Sequence, residues 1–287
     1  MLERIRAQQH KNWLQTLGLL GGMLLLMLLV GFLFMGWKGI LWAGILGFGS
    51  IFLSYQVPTA LIMRMHRAQP IQAYQLTDIQ HITAQFSKRA GLKYMPKLFY
   101  IPNHQVNAFA TGSKEDPAIA ITYGLLQQLN RQEISAVLAH EISHIKNNDI
   151  RLQQIALLMN RFTRTFSLLG QILLVFNFST IFMGQTSVSW LAILLLIGAP
   201  YLANILQKAL SRTREFDADL QAAKITGDPN TLADALERLH RLNQRRRNPL
   251  VRQIPVWLST HPQMEDRIHR LRALAPRFKI EFPNIWV

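Results

Sequence analysis

The sequence predicts an α+β integral membrane protein, in which a domain of helices around a small β-sheet is divided by two transmembrane hairpins. Three observations predict it. Hydrophobic residues make up 49% of the 287 residues and charged ones only 16%, against about a quarter in ordinary soluble domains. The apolar residues are gathered into four long runs. Around those runs lie short strand-like segments and amphipathic helices, one of which carries two histidines and a glutamate in VLAHEISHIKNND, Val137 to Asp149.

The first run, Leu14 to Trp37, contains no charged residue, and neither does the second, Gly39 to Met63. Each exceeds the roughly 20 helical residues that cross about 30 Å of hydrocarbon. Arg4, Arg6 and Lys11 precede the first run as they would in a signal peptide. Its apolar core is nevertheless too long for an h-region, and no small-x-small cleavage site follows. A third run covers Phe166 to Met183, with Gln171 and Asn177 as polar interruptions, and a fourth covers Val188 to Leu206. Only Gly184 to Ser187 separates these two, so they read as a tight hairpin. Pro200 reads as a kink that a packed membrane helix absorbs. The expected organisation is residues 1–67 as a first membrane hairpin, 68–150 as the first part of a cytoplasmic domain, 151–207 as a second hairpin and 208–287 as the second part of that domain.

The formal charge of +15 would suggest a nucleic-acid partner in a soluble protein, with Arg245 to Arg247 as the densest basic stretch. The positive-inside rule explains the charge better. Arg4, Arg6 and Lys11 flank the first run, Arg64 and Arg67 follow the second, Arg151, Arg161 and Arg164 lead into the third, and Lys208, Arg212 and Arg214 follow the fourth. The two short connections on the other side hold only Lys38. Both termini and the segment between the hairpins are therefore expected in the cytoplasm, with the bilayer rather than nucleic acid as partner. The chain has no cysteine, which excludes disulfides and thiolate metal ligands and fits a reducing compartment.

In the polar segments, Leu76 to Ala90 reads as a helix, with Ile79, Ile82, Phe86 and Ala90 on one stripe and Gly91 as its stop. Lys97–Ile101, Asn107–Gly112 and Ala118–Thr122 read as short strands, with turn residues from Gly112 to Pro117 joining the last two. Asn130 with Glu133 resembles a capping box opening the next helix. On that helix Ile134, Leu138, Ile142 and Ile145 form a core stripe, and Val137, His140, Glu141 and His144 lie on another face. Asp228 reads as an N-cap with Pro229 at the first helical position, and Met264 to Leu274 as a further helix.

Residues four apart on a helix stack one turn above each other, so His140 and His144 aim two imidazoles at one cation. Glu141 projects beside them, placed to hold a water without being a ligand, which is the division of labour of H-E-x-x-H in zinc hydrolases. A catalytic zinc needs a third protein ligand. The extended H-E-x-x-H-x-x-G-x-x-H pattern is excluded, because Asn147 and Ile150 stand where it needs glycine and histidine. Glu215, in SRTREFDADLQAA, is the outstanding candidate, with Asp219 one turn later to accept the free N–H of a ligating histidine. The competing reading makes both residues an ordinary charged face paired with Arg212 and Arg214. Two spans separate Glu215 from His140, so both fall on the same side of the membrane. Glu141 would then act as general base, and His261 is the candidate donor to the oxyanion. Asn107, Ala108 and Phe109 are candidates for pairing with an extended peptide substrate if their strand lies at a sheet edge; an interior strand is the alternative.

The segments NAFATG (Asn107 to Gly112), AVLAHEISHIKNNDI (Ala136 to Ile150), SRTREFDADLQAAKITGDP (Ser211 to Pro229) and STHPQMEDRI (Ser259 to Ile268) occur in an order that resembles the HtpX-type membrane zinc metalloproteases, more distantly related to the CAAX prenyl proteases. The resemblance implies a gluzincin-type domain with four transmembrane helices, one zinc ion per chain, His140, His144 and Glu215 as ligands, Glu141 as base and Asp219 in the family's downstream aspartate position. It implies an endopeptidase of the bacterial inner membrane that acts in quality control on damaged or misfolded membrane proteins, with its active site in the cytoplasm. The short links from His144 to the third run and from the fourth to Glu215 place the zinc within roughly 10–20 Å of the membrane surface. That placement would favour substrates by proximity and also admits self-cleavage. A prenyl-peptide protease would need more spans, and a zinc-stabilised scaffold or holdase would have no use for Glu141.

Overall fold

The computed structural model describes residues 2–53, 58–72, 76–176, 178, 183, 189–246 and 264–274. The chain divides into two units, one of Met1–Gln9, Val57–Ile150 and Arg214–Val287, the other of His10–Gln56 and Arg151–Thr213.

The second of these is helical. Helices α1 (Leu2–Met35) and α2 (Trp37–Leu53) are joined at Gly36, whose φ of +60° is open to glycine at no steric cost. The two helices approach so closely at Gly31 and Gly39 that a Cβ on Gly39 would collide with the Gly31 carbonyl. Helix α7 (Asp149–Phe176) and helix α8 (Trp190–Thr226) supply the rest. Pro200 lies inside α8 and has no N–H to offer the carbonyl of Leu196, four residues earlier. Gln171 Nε2 donates to that carbonyl at 2.9 Å, and Ser167 Oγ donates to it as well. The polar interruption of the third run thus caps the backbone acceptor that the fourth run's proline leaves open.

Among the described residues, two helical stretches are long and apolar enough to cross a membrane, Ala7–Met35 and Trp190–Thr226. The second apolar run does not form the single expected helix from Gly39 to Met63. Helix α2 is described to Leu53, 54–57 lie outside the described residues, and Pro58 is extended ahead of a separate helix α3 (Thr59–Met65). Met63 is buried with Ile101, Ala118 and Ala120 of the β-sheet, so the end of that run faces protein instead of lipid. In the third run, 177 and 179–182 lie outside the described residues, as does the turn at 184–187.

The other unit is built on a four-stranded sheet in the order β1 (Gln69–Pro70), β2 (Lys97–Ile101), β4 (Pro117–Thr122), β3 (Ala108–Gly112). Strands β2 and β4 are parallel, and β3 and β4 form the expected antiparallel hairpin. Central strand β4 is buried at every residue, because both faces of the sheet are covered. Ile119 and Ile121 face the main core, while Ala118 and Ala120 face α3. Helix α4 (Thr77–Ala90) buries Ile79, Ile82, Phe86 and Ala90, and Gly91 closes it in the left-handed region at φ +73°. Truncating Phe86 to alanine, at 2% exposure, would cost about 3–5 kcal/mol.

Helix α5 (Tyr123–Gln128) leads into α6 (Arg131–Asn147). The capping box that opens α6 is complete: Glu133 N–H donates to Asn130 Oδ1 and Asn130 N–H donates to Glu133 Oε2, both at 2.8 Å. All residues from Glu133 to Ile145 are buried, so α6 is the central helix of this unit. The end of α8, then α9 (Pro229–Arg246) and α10 (Met264–Leu274), complete the core through Ala222, Ile225, Leu232, Leu236 and Leu271. Asp228 caps α9 as expected, accepting the N–H of Asn230 at 2.9 Å.

Candidate metal centre

Helix α6 points His140 and His144 the same way, and α8 brings Glu215 up to them. His140 Nε2 lies 3.1 Å from His144 Nε2, Glu215 Oε2 lies 3.5 Å from His140 Nε2, and Glu215 Oε1 lies 3.8 Å from His144 Nε2. Donor atoms around one tetrahedral zinc stand about 3.3 Å apart, given bonds of about 2.0–2.1 Å. The three side chains therefore fit a single ion, and they are the one such group among the described residues. All three are buried.

Each histidine is backed by an aspartate. Asp149 Oδ2 lies 2.8 Å from His144 Nδ1, which assigns a proton to Nδ1 and turns Nε2 toward His140 and Glu215. Asp219 Oδ1 lies 3.0 Å from His140 Nδ1, although the ring N–H does not point along that line as a formed hydrogen bond requires. Burial opposes a charge on His140, but Asp219 and Glu215 outweigh it and push its pKa up to about 10. Burial likewise opposes a charge on His144, and Asp149 and Glu215 raise its pKa.

Two buried arginines complete the arrangement. Arg267, on α10, places Nε at 2.7 Å and Nη2 at 2.6 Å from the two oxygens of Asp219, and Nη1 at 2.9 Å from Glu215 Oε2. Arg270 of the same helix stacks over Phe216, 3.7 Å from its ring centroid, so α10 grips the helix that carries Glu215 at two points. Glu215 lies beyond the apolar run ending at Leu206. Burial would raise its pKa, but Arg267 and the two histidines hold it well below the usual carboxylate range. Arg214 donates through Nε to Asp149 and through Nη2 to Asp217 at 2.7 Å.

Glu141 faces the sheet. Its Oε2 accepts the backbone N–H of Ala110 at 2.8 Å. Burial raises its pKa against the opposing pull of His140 and His144. Strand β3 is at the edge of the sheet. Thr122 N–H donates to the Asn107 carbonyl at 3.1 Å, so by the antiparallel alternation Phe109 and Thr111 also bond to β4. Ala108 and Ala110 turn their N–H and C=O groups to the outer edge. Phe109 packs on the α3 side of the sheet, with its ring centroid 4.9 Å from that of His66. Asn107 is exposed. His261 lies outside the described residues.

Asp149, Arg214, Arg267 and Ala110 have no part in the site expected from sequence. Asp149 carried a legible signal, since it follows His144 by five residues in the same segment. Arg267 lies in the segment Ser259 to Ile268 singled out in the sequence, but nothing local pairs it with Asp219, 48 residues away.

The chain also has recognisable relatives. Residues 72–275 match the model of peptidase family M48. The chain is 36% identical to a protein named Protease HtpX homolog from Desulfatibacillum aliphaticivorans, over 93% of this chain and 91% of that one. It is 32% identical to another of that name from Salinibacter ruber, over 93% and 99%. The crystal structure of S. mikatae Ste24p shares the fold, with a TM-score of 0.52 at 21% identity, covering 92% of this chain and 66% of that one. A buried cluster of two histidines and a glutamate, apolar helices of membrane-crossing length and these relationships lead to one conclusion: the chain belongs to peptidase family M48 and is an HtpX-type membrane metalloprotease.

Proposed function

We propose that the protein is a zinc-dependent endopeptidase in which His140, His144 and Glu215 hold the ion, Glu141 is the general base and Asp219 supports His140. The convergence of the three donor groups beside a glutamate tethered to an edge strand carries this reading. A zinc ion bound there supplies Lewis acidity toward the attacking water and the scissile carbonyl. Glu141 takes the water's proton on its carboxylate as attack proceeds and passes it to the leaving amine. Ala110, by holding Oε2, leaves Oε1 to carry that proton. An extended substrate pairs with the outer edge of β3 next to Asn107, Ala108 and Phe109, with the free backbone groups of Ala108 supplying the hydrogen bonds. Phe109 contributes by packing the strand in place. His261 donates to the oxyanion.

The finer reading places four spans in a bacterial inner membrane, with both termini and the site in the cytoplasm. The distribution of arginine and lysine around the apolar runs supports it. Substrates are damaged or misfolded membrane proteins, selected by their nearness to the bilayer, and exposed loops of the enzyme itself are within the same class.

The test compares wild type and Glu141→Gln, purified in detergent, stripped with chelator and then given zinc, with cleavage of an unfolded protein as readout. Cleavage by wild type alone, with zinc bound to both, is the expected result. Cleavage by both would remove Glu141 from the mechanism, and zinc binding without cleavage by either would favour a scaffold.

A further inference from the structure

Helix α6 ends at Asn148, which adopts φ +61°, a conformation asparagine tolerates and most side chains resist. That left-handed residue turns the chain so that Asp149, the first residue of α7, folds its carboxylate back onto His144. Asp149 is fully buried, and a lone buried carboxylate is costly. Its second oxygen is taken by Arg214, itself 4% exposed. Arg214 reaches on to Asp217, which also lies 3.5 Å from Asn147 Nδ2 at the end of α6. Arg214 immediately precedes Glu215. One guanidinium fork therefore joins the carboxylate behind one metal-facing side chain to the backbone that carries another.

We propose that Asp149 and Arg214 form a positioning pair, which fixes His144 as its Nδ1–H tautomer and ties its ring orientation to the placement of Glu215. Asp149 meets the ring nitrogen of His144 opposite the one nearest Glu215, and Arg214 meets Asp149, so the pair acts through His144 and Glu215. The proposal rests on those two residues being metal ligands. It requires the planar fork, because the two aspartates are bonded through different nitrogens of the guanidinium. A lysine at this position keeps the charge but cannot reproduce both contacts.

The experiment uses the full chain in detergent with Asp149→Asn, Arg214→Lys and His144→Ala. Zinc affinity is read by competition with a chelator, and the His144 tautomer by nitrogen-15 NMR of histidine-labelled protein, with His144→Ala assigning the signal. Asp149→Asn is nearly isosteric, and with its oxygen kept on Arg214 it turns an amide N–H toward His144 Nδ1, so it reports even if Arg214→Lys folds poorly. The expected result is about 10–100-fold weaker zinc binding in both positional variants, with loss of the pure Nδ1–H pattern. Wild-type affinity together with an unchanged tautomer in Asp149→Asn would overturn the proposal. Weakened binding in Asp149→Asn with wild-type affinity and tautomer in a folded Arg214→Lys would overturn the role of the fork. Wild-type zinc affinity in His144→Ala would instead overturn the ligand assignment beneath it.

Discussion

The carboxylate of Glu141 is fastened to the edge of the sheet, its Oε2 accepting the Ala110 backbone N–H at 2.8 Å. The residue read as the base and the strand read as the substrate platform are thus one mechanical unit. Ala110→Pro removes this N–H without touching the bonds that β3 makes to β4, since Ala110 faces outward in the register. Cleavage by this variant should fall about 10–100-fold, from the loss of a charge-assisted hydrogen bond worth about 1.5–3 kcal/mol. Zinc affinity should stay as in wild type. Undiminished cleavage would show that the tether has no bearing on the base.

Metal should stabilise the domain directly, because the proposed ligands come from helices α6 and α8 and converge only in the folded chain. At a free zinc concentration a thousandfold above Kd, the gain is about 4 kcal/mol. Thermal unfolding of the chelated protein should therefore occur at lower temperature than that of the zinc-loaded protein. Glu215→Gln should reduce this difference. An equal response to zinc in the variant would argue against Glu215 as a ligand.

Arg267→Leu should be among the most damaging substitutions outside the three donor residues. It leaves Asp219 and Glu215 buried without their shared cation, a loss of about 3–5 kcal/mol for a broken buried pair. Chemical denaturation would measure it. Because Arg267 belongs to α10, the variant should also loosen that helix, which hydrogen exchange of Met264–Leu274 would detect. A midpoint within error of wild type would contradict the assigned partners.

Gln171→Leu should weaken packing of the helical unit by about 0.6–1.7 kcal/mol, the range for hydrogen bonds between membrane helices. Pro200→Ala should reduce that cost, since restoring the N–H at residue 200 gives the Leu196 carbonyl its ordinary helical partner beside Ser167 Oγ. A double-mutant cycle reads the coupling, and strict additivity would mean that Gln171 does not serve the proline's open acceptor.

The helices and strands flanking the site were legible because their signals are local. The stripe of α4, the Gly91 stop, the Asn130–Glu133 box, the Asp228–Pro229 start and the Gly112–Pro117 turn each lie within a few residues of what they control. Hydropathy alone misled at Gly39 to Met63, where Pro58 ends one apolar segment and Met63 serves the sheet instead of lipid. Strand β1, two exposed residues including Pro70, has no alternation to reveal it.

By itself the sequence determined that His140 and His144 share a helical face with Glu141 beside them, since a spacing of four residues leaves the helix no alternative. It also determined the chemistry on offer: imidazole and carboxylate donors, no thiolate, and basic residues flanking the apolar runs. Tertiary structure decided which charges meet. Glu215 and Asp219 sit in a run with Arg212 and Arg214 that could have been a solvated face, yet Arg267 reaches them from another helix, and Arg214 turns to Asp149. It decided as well that the outer edge of β3 meets Glu141 through Ala110. The physical reason is one of range. Backbone geometry fixes neighbours a turn apart, whereas a buried carboxylate takes whichever cation the packing of distant helices delivers.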